Sequence, residues 1–102
     1  MITLKGAVMM TLEELIQDIH TLNRELELYE RKYGLLSRDF YELYINGELP
    51  DEEIEQIDEY GRWAAFYKIK LEREAAYEKL VEERLAAFRA SPHADKLALP
   101  VS

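Results

Sequence analysis

A chain of 102 residues with a net charge of −8 and no cysteine has room for one domain and offers no disulfide framework, thiolate metal site or cysteine nucleophile. Its hydrophobic fraction of 48% is that of a globular protein, while 33% charged residues is somewhat high. No run approaches the roughly 18 apolar residues of a membrane span, and the apolar part of Met1–Met10 is too short for a signal peptide, so a soluble, cytoplasmic protein is expected.

The charge is unevenly spread. Between Thr11 and Tyr60 fifteen acidic residues outnumber four basic ones, a balance of −11, whereas seven basic and five acidic residues from Gly61 to Ala90 give +2. An acidic half is a poor match for phosphates, so direct nucleic-acid binding is not expected. It suits a solvated face or a basic protein surface.

Residues 1–10 read as a leader: Ile2 and Leu4 alternate with Thr3 and Lys5, a weak strand pattern that needs a second edge to pair with. Thr11-Leu12-Glu13-Glu14 is a capping box and opens the first helix. From there Leu12, Leu15, Ile19, Leu22, Leu26, Tyr29 and Tyr33 recur at alternating spacings of three and four, the seam of a coiled coil or helical bundle. Ile16 and Leu28 widen the stripe, and Gly34 is placed to end the helix. The spacing predicts a helix over 11–33.

A short second helix is expected over 38–46, with Ser37 as its cap, Asp39 in its first turn and Phe40, Tyr41, Leu43 and Tyr44 on its apolar side. Asn46-Gly47 closes it. A third helix is expected over 51–90, capped by Asp51 and loaded at its start with Glu52, Glu53 and Glu55, where the helix dipole favours negative charge. Ser91-Pro92 ends it, and 91–102 is an extended or flexible tail in which Leu97, Leu99 and Val101 alternate.

The third helix holds the hub, Trp63 to Leu71, whose apolar side chains point in nearly every direction at 100° per residue. Trp63, Ala64, Tyr67 and Leu71 share one side; Ala65, Phe66 and Ile69 spread round the rest. Such a segment is buried on more than one side. Gly61 costs about 1 kcal/mol against alanine in a helix, and with Ala64 and Ala65 it predicts a patch where another helix crosses closely. Beyond the hub run Leu71, Ala75, Tyr77, Val81, Leu85 and Phe88. At about 1.5 Å per residue the third helix spans about 60 Å against about 35 Å for the first, so part of its apolar length is left for another copy or another protein. The expected fold is all-α: two long helices in an antiparallel helical hairpin with a short helix between them, the bundle being completed by oligomerisation.

Catalytic constellations do not emerge. Glu52, Glu55 and Glu59 lie at i, i+3 and i+7, with Asp51 and Asp58 nearby, but neither His20 nor His93 follows a glutamate by three positions as paired Glu-x-x-His sites require. No metal, cofactor or enzymatic activity is expected. Glycines at 6, 34, 47 and 61 make no phosphate loop, and the seven tyrosines fall mostly on apolar stripes, where packing with the hydroxyl at the edge is the default.

The segment Tyr33-Gly34-Leu35-Leu36-Ser37-Arg38-Asp39-Phe40-Tyr41, followed by Gly47-Glu48-Leu49, an acidic linker and Trp63-Ala64 with Tyr67, resembles small helical antitoxin-like proteins of prokaryotic toxin–antitoxin modules. The likeness covers about a third of the chain, and no ribbon-helix-helix or helix-turn-helix signature accompanies it. It implies a non-enzymatic protein-binding module that neutralises a basic partner such as a ribonuclease toxin. The expected contact residues are the acidic Asp51, Glu52, Glu55, Asp58 and Glu59 with the aromatic Trp63, Tyr67 and Phe88. A coiled-coil scaffold that binds only itself, as a homodimer or higher oligomer, is the alternative.

Overall fold

Thr11 begins the fold as its spacing predicts. Its hydroxyl accepts the Glu14 N–H at 3.1 Å while the Glu14 carboxylate accepts the Thr11 N–H at 3.0 Å, so each side chain satisfies the other residue's backbone N–H. The computed structural model describes residues 10–50 and 53–90, and in these the regular elements are helices: α1 (Leu12–Tyr33), α2 (Ser37–Ile45) and α3 (Ile54–Ala90). The chain is all-α over the described residues. The expected strand in 1–10, the cap Asp51 and the tail 91–102 fall outside them, apart from Met10.

Gly34 terminates α1 at φ 72°, donating its N–H to the Glu30 carbonyl at 2.8 Å. This left-handed turn is open to glycine at little steric cost and sends the chain straight into α2. Here the structure corrects the expected cap. Ser37 is the first residue of α2, and Leu36 before it supplies no capping side chain. The Glu30 carboxylate reaches across from α1 instead and accepts the Ser37 N–H at 2.9 Å. A carboxylate is well suited to this place, since it meets both an orphan donor and the positive end of the helix dipole. At the other end Asn46 has φ −90° and Gly47 φ 67°, so Gly47 alone takes the left-handed conformation.

Late residues of α1 meet early residues of α3, and early residues of α1 meet late ones: Lys32 pairs with Glu59 at 2.9 Å, Asp18 with Arg73 at 3.0 Å, and Glu13 with Arg84 at 3.7 Å. The α1 seam supplies Leu15, Leu22 and Leu26 to the buried set, with Leu12, Ile19, Tyr29 and Tyr33 half-buried. Leu28 does not widen this stripe. It is 65% exposed on the outer face of α1, half a turn from Leu26.

Around Trp63, which is fully buried, gather Leu26, Phe40 and Ala64, flanked by half-buried tyrosines of all three helices. The start of the hub is therefore covered on two sides, by α1 and by α2, but its apolarity is not buried all round: Ala65 and Leu71 are exposed. The close crossing expected at Gly61 does not occur: a Cβ at that position would meet nothing within 4 Å, and Ala65 is exposed. Ala64, by contrast, is buried. Nothing packed against Gly61 requires a glycine. Gly61→Ala should stabilise the protein by up to about 1 kcal/mol through helix propensity, read as a rise of about 4–8 °C in thermal midpoint for a domain of this size.

Candidate protein-binding site

The centre of the molecule is an aromatic stack threaded by a polar relay. Trp63 lies face to face with Phe40, ring centroids 3.7 Å apart and planes 2° from parallel, and is flanked by Tyr29 at 5.7 Å and Tyr33 at 5.5 Å. Its indole N–H donates to the Ser37 hydroxyl at 2.8 Å, and that hydroxyl donates to Glu30 at 2.6 Å. The relay joins α3, α2 and α1 through one buried oxygen. Removing it leaves the indole donor without its partner, and an unsatisfied buried polar group costs about 1–3 kcal/mol. Ser37→Ala should lose about that much in urea denaturation, with the transition visible in the fluorescence of the single tryptophan.

A second polar cluster closes the same end. Glu59 accepts both the Lys32 ammonium, at 2.9 and 3.0 Å, and the Tyr33 hydroxyl. These hydrogen bonds from Lys32 and Tyr33 hold the Glu59 carboxyl below its usual range, against a smaller opposing effect of burial. Burial, followed by the adjacent Glu59 carboxylate, pushes the Tyr33 phenol up to about 12. The two groups act on stability in opposite pH windows. The contribution of Glu59 is present above the ordinary carboxylate range and is lost as pH falls through its lowered value. That of Tyr33 is complete below the ordinary phenol value of about 10 and is lost as pH rises towards about 12. Between these two values the unfolded chain releases the proton that the folded chain keeps. The wild-type protein should therefore lose stability on that alkaline limb, and Tyr33→Phe should flatten the loss; thermal midpoints measured across the range check it.

The eight residues expected to meet a partner do not form one site. Asp51 and Glu52 lie outside the described residues. Glu55 and Asp58 are exposed at the start of α3, next to the exposed Glu53. Glu59 is engaged by Lys32 and Tyr33. Trp63 has no exposed surface: it is enclosed by the helices it joins, and its expected role as a partner contact is corrected to that of the core. Tyr67 is half-buried against Tyr41, ring centroids 5.2 Å apart, and burial, then the nearby Glu74, raises its phenol. Phe88 is 38% exposed, but thirty residues of helix, about 45 Å, separate it from Asp58.

An apolar surface extends along α3 instead. Leu71 is 41% exposed, Leu80 41%, Leu85 39% and Phe88 38%. Beside it, between α1 and α3, a groove of about 330 Å³ is lined by Ile16, Ile19, His20, Glu74 and Tyr77. His20 is exposed on its rim. Sequence reasoning found the apolar stripe from its spacing but passed over Glu74 and Glu78, which fall within it; continuing the heptad count through polar residues would have placed them there. Among the described residues, no three His, Cys, Asp or Glu side chains converge as a metal site, and no helix is long and apolar enough to cross a membrane. No protein-family model, curated protein or solved structure matches the chain.

Proposed function

We propose that this chain is a non-enzymatic, cytoplasmic protein-binding module: an antiparallel helical hairpin that takes a second protein on its uncovered helical surface and so resembles the antitoxin partner of a toxin–antitoxin module. The observation that carries this reading is the exposure of large apolar side chains along the second half of α3, from Leu71 to Phe88. Several large apolar side chains left exposed on one half of a helix of a small chain mark an interaction surface. The exposed Glu55 and Asp58 at the opposite end of α3, with Glu53 just before it, form a separate negative patch that favours encounter with a basic partner, such as a ribonuclease toxin. The order of the ion pairs between α1 and α3 supports the hairpin.

Expression of each adjacent open reading frame alone and together with this chain tests the proposal. A neighbour that arrests growth by itself, is rescued by this protein and co-purifies with it is the expected result. Within that complex, replacing Glu53, Glu55 and Asp58 by their amides should slow association and weaken its dependence on salt, because charges outside the contact act mainly on the on-rate. If the association rate and salt slope were unchanged, the electrostatic part would be wrong.

A second reading is favoured by Leu80 and Leu85, both exposed and about 140° apart around α3. An end that is apolar on two sides suits a multi-helix assembly of identical chains, a coiled-coil scaffold. Light scattering distinguishes the two: a strictly monomeric species at micromolar concentration, with a co-purifying neighbour, leaves only the first.

A further inference from the structure

α3 carries two adjacent heptad seams. The first, which includes Glu59, Trp63, Phe66, Arg73 and Arg84, lies against α1 along almost its whole length, as the contacts with Lys32, Tyr29, Asp18 and Glu13 record. The second begins with Tyr60, Ala64 and Tyr67, which pack on Phe40 and Tyr41 of α2. In the same four-three rhythm it continues through Leu71, Glu74, Glu78, Val81, Leu85 and Phe88. With only nine residues, α2 covers the start of this seam and no more. From Leu71 onward α2 leaves it uncovered: Leu71, Glu78, Leu85 and Phe88 are exposed, while Glu74 and Val81 are half-buried, Glu74 lining the groove with Ile16, Ile19 and Tyr77.

We infer that this lower seam docks an amphipathic helix of a different protein, about eighteen residues long, with apolar anchors over Leu71, Val81, Leu85 and Phe88 and a Lys or Arg pair opposite Glu74 and Glu78. The inference rests on the binding-module reading and names its surface and the chemistry of its partner.

Charge decides against a second copy of this chain. Glu74 and Glu78 sit in the middle of an otherwise apolar row. Lys70 reaches Glu74 only at 3.9 Å, and Glu78 takes part in no ion pair among the described residues. In a parallel pairing with a second copy, each glutamate would face its own counterpart, and like charges at a helical seam repel. In an antiparallel pairing centred on the row, Glu74 would face Leu85 and Glu78 would face Val81, leaving both carboxylates desolvated with no cation opposite. A helix with basic residues at those two places satisfies both carboxylates, and its own apolar positions cover the remainder of the row. It takes the third-helix position that α2 is too short to fill.

The test uses the full chain and two labelled eighteen-residue amphipathic peptides, identical except for two lysines or two glutamates placed opposite Glu74 and Glu78, with binding read by fluorescence anisotropy. The expected result is that the lysine peptide binds about tenfold more tightly than the glutamate peptide, two weakly attractive, partly solvated charge pairs being exchanged for two weakly repulsive ones. Added salt should narrow the gap. The double variant Glu74→Lys, Glu78→Lys should invert the preference, and Leu85→Asp should weaken both peptides, with circular dichroism verifying that each variant stays helical.

Equal binding of the two peptides, or binding of neither, overturns the inference. So does binding that emerges only after removal of residues 1–9 or 91–102, which would give the seam to the chain's own terminus. A dimer dissociated by Leu85→Asp likewise gives it to a second copy. A neighbouring gene product that still co-purifies at full strength with the Glu74→Lys, Glu78→Lys variant overturns the seam while the binding-module reading stands. Absence of any co-purifying neighbour removes that reading, and the peptide preference is measured independently of it.

Discussion

The placement of α2 against the two long helices depends on a single hydroxyl. Ser37 accepts from the Trp63 indole and donates to Glu30, so three helices are tied at one atom that is nearly inaccessible to water. Apolar packing alone would bring Trp63 and Phe40 together, but it is non-directional. The relay adds direction, because the indole N–H, the hydroxyl and the carboxylate must line up for each buried polar group to be satisfied. That constraint sets where α2 sits and how its first turn is aimed. It also explains why Glu30 does two jobs: the same carboxylate oxygen accepts the Ser37 backbone N–H and the Ser37 hydroxyl, ending the orphaned start of α2 and anchoring the network together.

With α2 fixed there, the rest of the surface follows from element lengths. α1, with 22 residues, runs beside most of the 37-residue α3, while α2, with nine, cannot. The apolar row of α3 that α2 begins to cover is therefore left open for most of its course. The exposed side chains on the lower part of α3 are thus a geometric consequence of a three-helix core placed at one end of a long helix.

Much of this was legible in the order of residues because it rests on local rules. Thr11 with Glu14, the three-four rhythm from Leu12 to Tyr33, and Gly34 each act within one or two turns, and each was readable without knowing the neighbours. What could not be read depends on residues far apart in the chain. Ser37 looked like a cap because serine before a helix usually is one, and only the arrival of Glu30 from behind and Trp63 from the far side converts it into a bridge. Trp63 looked like an interface anchor because tryptophan often is, yet its neighbours enclose it. Leu28 and Gly61 failed for a related reason. Composition assigns them to a core and a crossing, but the angular position of α1 turns Leu28 outward, and no second helix reaches Gly61.

The shortness of α2 has a further consequence. A nine-residue helix is too short to persist by itself in water, since nucleation is costly and its few hydrogen bonds do not repay it. Its existence depends on the Trp63 dock, so α2, the end of α1 and the first half of α3 form or dissolve as one cooperative unit. The distal turns of α3 belong to a different regime: held mainly by α1, they can open locally while the aromatic centre stays intact. Amide exchange would divide the one long helix into a slow half and a fast half, with no break in its backbone to mark the boundary. A molecule arriving at the fast half would be met by a segment that can adjust its side chains and last turns without disturbing the part that makes the protein fold.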